Sequence, residues 1–270
     1  MHKTCCKHGQ NVTFPHFKWD VKGLLYIKDT NTVASGNRPQ DVLPKRFRIT
    51  STRKASTLSL KTHIQKWQSA LSTDDRITCW TIMERSTWHL LEARGSLTCP
   101  ISKADDDPMF QAAYAWMKTS MVGAGITPLS TGLTPWWCWI RREAGHPEPY
   151  LEDLGDMVDP VVLQLSIPSH LVVLSCFDLW HFVLNRTYAY ASELDDQEFD
   201  RAFEMAPHGS EAARQLEDRL RKSWNAIFEL GQCGVDMGPV ELKSIQGCFW
   251  TLKRSYVIAV LEPSMLTSYE

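Results

Sequence analysis

The sequence predicts an α+β fold: a single domain of mixed, partly antiparallel sheet with packed helices, preceded by a basic N-terminal arm. Three observations carry this expectation. Residues 1–73 hold 13 Lys and Arg against 3 acids and residues 74–270 hold 16 against 28, so a net charge of −2 conceals a basic arm and an acidic body. Within the body, apolar runs rich in β-branched residues alternate with helical periods, without the regular strand–helix order that builds a parallel sheet. Two apolar runs near residue 250, separated by a short turn, read as an antiparallel hairpin. With 270 residues, 43% hydrophobic content and 11 tryptophans, the chain can bury a sizeable core.

The arm, residues 1–75, is rich in Lys, Arg, Ser, Thr and Asn, shows no sustained period, and is expected to hold little fixed structure. Its segment Pro44-Lys-Arg-Phe-Arg-Ile-Thr-Ser-Thr-Arg-Lys54 could contact nucleic-acid phosphates in a salt-dependent way. A solvated tail or a start-site extension fits the same composition better. No run approaches the roughly 18 apolar residues of a membrane span, and the first ten residues lack the apolar stretch of a secretory signal. A cytoplasmic protein without a membrane partner is therefore expected. Eight cysteines occur with no C-x-x-C spacing, which argues against a zinc ribbon. Cys79, Cys138, Cys176 and Cys248 sit in apolar runs, as reduced buried thiols do.

In the body, Ile77-Thr-Cys-Trp-Thr-Ile-Met83 predicts a strand. A helix capped by Ser86 or Thr87 and carrying Trp88, Leu90 and Leu91 follows, stopped by Gly95 before a short strand at Ser96-Leu-Thr98. Asp105-Asp-Asp-Pro108 starts a helix whose Phe110, Tyr114, Met117 and Met121 form a core stripe, and Gly123 and Gly125 end it. Pro135-Trp-Trp-Cys-Trp-Ile140 is the next strand, with Arg141 and Arg142 at its end. The acidic stretch Glu143 to Asp159 lacks the ligand spacing of a calcium loop. Strands then follow at Pro160–Ile167, closed by Pro168, and at His170–Leu174. Gly209-Ser-Glu starts a long helix carrying Ala213, Leu216, Leu220, Trp224, Ile227 and Phe228. The hairpin is Ser244–Leu252 with Tyr256–Leu261.

The best candidate for chemistry is the helix after residue 175, where Asp178, His181 and Asn185 share one face at i, i+3, i+7. A carboxylate one turn before an imidazole can fix its tautomer for acid–base work. The plainer account makes Ser175-x-x-Asp178 a capping box, with His181 as its half-buried neighbour. Gln246 and Gln164 are polar among apolar neighbours and must find partners or orient a ligand. Trp116, Trp139, Trp180 and Trp250 can line a stacking pocket or fill a core, and Arg141 can hold a phosphate or carboxylate. P-loop, dinucleotide, nucleophile-elbow and zinc-protease signatures are absent, and the sequence leaves the cofactor unknown.

Trp80-Thr-Ile with Gly95-x-Leu97, Tyr114-x-Trp-Met117, Pro135-Trp-x-x-Trp139, Ser175-x-Phe-x-x-Trp-His-x-x-Leu-Asn185, Ser223-Trp-x-x-Ile-Phe228 and Ile245-Gln-x-x-x-Trp250 together resemble a bacterial family known only as domain of unknown function 3841. The resemblance spans about residues 77–261, leaves out the arm, and implies a fold unit and a cytosolic bacterial setting rather than a reaction. The opening strand, helix and glycine are also similar to ADP-ribosyltransferase folds, whose clefts use an early Arg or His and a late Glu. Arg85 or His89 would be the early residue here, and Gln246 stands where the late Glu would be. Two readings follow: an enzyme, of transferase type, acting on a nucleotide or NAD-like ligand in a Trp-rich cleft, or a non-enzymatic module that binds a protein partner.

Overall fold

The computed structural model describes residues 60–100, 108–231 and 238–269. Its centre is a six-stranded sheet in the order β6-β7-β4-β1-β5-β9, formed by β1 (Arg76–Glu84), β4 (Trp136–Arg141), β5 (Pro160–Pro168), β6 (Val173–Cys176), β7 (Ile245–Phe249) and β9 (Val257–Leu261). A smaller sheet joins β3 (Leu133–Thr134), β2 (Ser96–Pro100) and β8 (Thr251–Lys253). Every pairing among the described strands is antiparallel, where the sequence reading allowed a mixed sheet. With its helices, the architecture is α+β.

β1 and β5 form the longest ladder, running from Arg76 opposite Pro168 to Glu84 opposite Pro160. Alternation divides their side chains. Ile77, Cys79 and Met83 of β1 and Val161, Leu163 and Leu165 of β5 belong to the main core, whereas Trp80 and Val162 join Leu154 in a second cluster. Gly247 of β7 marks the tightest strand contact, because a Cβ there would meet Val172 Cγ1 at 2.9 Å, Cys138 Sγ at 3.0 Å and Ile140 Cδ1 at 3.1 Å.

Helix α1 (Leu60–Ala70) buries Ile64, Trp67 and Gln68 on one stripe, and Gln68 Nε2 donates to Val172 O at 2.8 Å. The folded unit therefore reaches back to Leu60, inside the stretch whose composition reads as arm; Cys5, Cys6, the 44–54 segment and Cys233 lie outside the described residues. Helix α2 (Arg85–Arg94) starts straight from β1, with Glu84 as N-cap and no side-chain bond from Ser86 or Thr87 to its free amides. Gly95, at φ +73°, ends it by donating to Leu91 O at 2.8 Å. Helix α3 (Pro108–Gly123) sets Met117 and Met121 in the core, and α4 (Phe177–Leu184) does the same with Leu179, Trp180 and Val183.

Helix α5 (Glu193–Met205) is unforeseen from sequence. Only Phe199 is buried in it, so its apolar period is faint, and its start signals are Ser192, whose Oγ accepts from Asp195 N at 3.2 Å, and the acids Glu193, Asp195 and Asp196 of its first turn. Helix α6 (Glu211–Ser223), capped by Ser210, is shorter than expected: Trp224–Phe228 continue as a 3₁₀ segment that drops Trp224, Ile227 and Phe228 into the core. The two apolar runs near residue 250 form no hairpin. β7 inserts between β6 and β4, Trp250 turns away with its indole donating to Ile126 O at 2.9 Å, β8 crosses to β2, and β9 pairs β5. Non-local pairing and the anchored indole override the local turn. The five described cysteines, 79, 99, 138, 176 and 248, are buried.

Candidate functional site

Ser175 lies within β6 opposite Gln246, and the N-cap of α4 is Cys176, which makes no side-chain cap bond. The capping box expected at Ser175 and Asp178 therefore does not form: Ser175 Oγ is buried and has no partner. Asp178 and Asn185 are exposed at the two ends of α4, and His181 is half-buried with Nδ1 3.3 Å from Asp178 O. Phe177 stands edge-on to both His181 (4.9 Å) and Trp139 (4.8 Å), and Trp139 pairs Gln246 across the sheet. Gln246 is buried with its Nε2 unpartnered. Rings and sheet thus connect His181 to Gln246.

Three of the tryptophans expected at a ligand are packing residues here. Trp116 stacks on Phe228 at 5.5 Å, Trp180 packs against Trp137 at 5.1 Å and Tyr114 at 6.0 Å, and Trp250 is anchored as described. Trp139 is buried and lies under the Arg142 guanidinium at 5.1 Å. Arg85 is committed to Asp159 (3.0 Å) and Glu262 (2.6 Å).

Arg141 does line an open cleft of about 410 Å³ over β1 and β4. Its donors are Thr73, Arg76, Thr78 and Arg141, and Leu71, Trp80, Ile140, Gly145, Pro147 and Ile245 complete it, so no carboxylate lines it. Both arginines are pinned by uncharged oxygens. Arg76 Nε donates to Ser166 Oγ at 2.8 Å and its Nη2 to Ser166 O; Arg141 Nε donates to Lys243 O at 3.0 Å and its Nη2 to Val240 O. Among the described residues neither has a carboxylate within ion-pair distance, whereas Arg85, Arg142, Arg214, Arg219 and Arg221 all do. Burial draws the Arg141 guanidinium below its usual value, with Glu241 opposing. The indole N–H of Trp80 is buried and has no acceptor. Two fixed cations therefore share one cleft, while the unsatisfied Trp80 N–H is buried out of reach of solvent.

One wall is the turn 142–147, closed by Glu143 N to His146 O (3.0 Å) and Arg142 N to Pro147 O (3.2 Å). Arg142 anchors it through both oxygens of Asp153 (3.1 and 2.9 Å). The Tyr150 hydroxyl, and the Tyr269 hydroxyl at 2.7 Å, donate to Glu143 and hold its carboxyl below the usual carboxylate range. Burial, then the Glu143 contact, pushes the Tyr150 phenol up to about 12.

Sequence reasoning found Arg141 and missed Arg76, Thr78 and Trp80. Their only signal was position: Arg76 opens a strand, and Thr78 and Trp80 alternate with its core residues. Among the described residues no group of three or more His, Cys, Asp or Glu is arranged for a metal ion, and no helix is long and apolar enough to cross a membrane.

A family model described as domain of unknown function, DUF3841, matches residues 78–258. That span runs from the third residue of β1 to the second of β9, with Trp80 and Arg141 inside it and Arg76 just before it. No curated protein and no solved structure matches the chain.

Proposed function

We propose, given that the chain belongs to the DUF3841 family and that the family's description states no activity, that its function is read from the cleft over β1 and β4: it binds a small anion with an apolar or flat body, of the nucleotide kind. The observation that carries this is the pair Arg76 and Arg141, each fixed through Nε and Nη2, charged, and without a carboxylate within ion-pair distance among the described residues. A guanidinium held in this way keeps its remaining N–H groups for a phosphate or carboxylate and loses little entropy on binding. Trp80, Leu71, Ile140, Pro147 and Ile245 offer apolar contact. The volume of about 410 Å³ suits a mononucleotide-sized ligand. None of Asp178, His181, Asn185 and Gln246 lines the cleft, so the reading is one of binding and assigns them no chemical step.

A protein partner is favoured by a separate observation: α5 exposes Leu194, Phe203 and Met205 beside six acids.

Calorimetric titration of the whole chain with inorganic phosphate, AMP and adenosine tests the main reading. AMP should bind, adenosine should bind more weakly, and Arg76→Gln should reduce AMP affinity roughly 10- to 100-fold, the value of a charge-assisted hydrogen bond. Absence of binding by every anion, or AMP binding indifferent to Arg76→Gln and Trp80→Phe, overturns it.

A further inference from the structure

The turn that walls the cleft has a second face. Gly145 and Pro147 line the cleft, while Glu143 and His146, alternating with them, meet the segment that follows β9. That segment, residues 262–269, runs as a strap. Glu262 holds both terminal nitrogens of Arg85 (3.0 and 2.6 Å), and Leu266 packs against the cluster containing Trp80. Thr267 O accepts from Leu151 N at 2.9 Å, and Thr267 Oγ1 lies 3.3 Å from His146 Nε2. Tyr269 ends the strap: its N–H donates to Glu152 at 3.0 Å, its hydroxyl to Glu143 at 2.7 Å, and its ring lies 4.4 Å from Tyr150.

The strap's fastenings to the wall differ in kind from the wall's own anchor. Arg142 and Asp153 form a pair with side chains only 14% and 1% exposed, which fixes the base of the turn. The bonds from Thr267 and Tyr269 to His146, Glu152 and Glu143 are exposed to water, where each is worth little and opens readily. The tip is held as well by Tyr150, whose hydroxyl donates to Glu143 and whose ring stacks on His146 at 4.0 Å, so the strap tightens a turn that keeps other contacts of its own. The same strap also backs Trp80 through Leu266, so the wall of the cleft and its Trp80 side are both in contact with it.

We propose that residues 262–269 form the latch of this cleft: release of Tyr269 and Thr267 loosens the turn 142–147, and a bound ligand favours the fastened state. The regulatory part rests on the reading of the cleft as a ligand site. The mechanical part stands on the contacts alone. Ligand held between the arginines and a fastened wall leaves only when the wall swings, so weakening the latch should act chiefly on dissociation.

Hydrogen exchange of the whole chain, wild type against Tyr269→Phe and Leu266→Ala, tests the latch without a ligand. Amides of residues 142–151 should exchange about tenfold faster in both variants, as expected for losing one modest tether, while those of β5 stay unchanged. Stopped-flow release of AMP, followed by tryptophan fluorescence, should be roughly fivefold faster in Tyr269→Phe. If AMP fails to bind the wild type, the cleft reading falls and the exchange comparison still decides the latch. Unchanged exchange over 142–151 in both variants, or equal AMP release rates with AMP bound, overturns the latch.

Discussion

Removing the Asp153 carboxylate should be among the most damaging single polar changes in this fold. Its side chain is 1% exposed, it takes Arg142 Nε on both oxygens, and Oδ2 also accepts the Tyr150 backbone N–H at 2.9 Å. Breaking a buried pair by deleting one partner costs about 3–5 kcal/mol, because the other charge is left without compensation. Two features reduce that figure: Arg142 keeps the Trp139 ring at 5.1 Å, and its side chain, 14% exposed, can reach water. The expected loss for Asp153→Ala is therefore about 3 kcal/mol, or roughly 6–12 °C in Tm for a domain near 200 residues. Glu262→Ala is the control. Glu262 pairs Arg85 but its side chain is 42% exposed, so its loss should be much the smaller of the two. The double change Arg142→Met with Asp153→Leu should recover most of the stability, since apolar replacement of a buried pair is often neutral. Urea unfolding followed by tryptophan fluorescence and by circular dichroism measures all three. The reasoning is refuted if Asp153→Ala loses no more than Glu262→Ala, or if the double variant is as unstable as the single one.

Gly247→Ala should destabilise by about 1–3 kcal/mol in the same assay, because its methyl group would press on Val172, Cys138 and Ile140 on three sides. Ser175→Ala should be neutral or stabilising by about 1 kcal/mol, since the hydroxyl is buried and unpartnered; a clear loss would point to a water bridging it to Gln246 Nε2. Glu143 has a depressed folded pKa, so its contribution is complete above the unfolded carboxylate value near ~4.3 and is lost as pH falls through the lower folded value. The stability of Glu143→Gln should accordingly fall less steeply than that of wild type below about pH 4, and equal slopes there would count against the two-phenol contact.

What the sequence reveals here is elements rather than partners. The run from Pro160 to Ile167 reads as a strand because β-branched and apolar side chains crowd it, and β5 covers it almost residue for residue. Gly95 marks a helix end because only its left-handed conformation closes α2. Pairing is a different matter. The runs carrying Ile245 and Val257 look like hairpin partners by proximity, yet one lies between β4 and β6 and the other beside β5. Ser175 reads as a helix cap from its spacing to Asp178, but strand pairing with Gln246 claims it first. The cleft is legible only where one residue advertises itself, as Arg141 does at a strand end. Arg76 and Trp80 join it through the pairing of β1 with β4 and β5 and the path of the 142–147 turn.

The strand order also dictates when the protein can complete its sheet. No two neighbours in the six-stranded sheet are joined by a tight turn: β7 follows β6 only after three helices, and β1 waits for β4 and β5. Loop closure over such separations slows folding, because the entropy is lost before the contacts are gained. On the ribosome, residues 136–141 and 173–176 emerge well before residues 245–249, which must slip between them. During that interval β4 and β6 each present an unpaired edge, open to pairing with another nascent chain. A transcript cut short before residue 245 would thus yield a sticky polypeptide instead of a smaller working domain, and high-level expression should reward slow synthesis and low temperature.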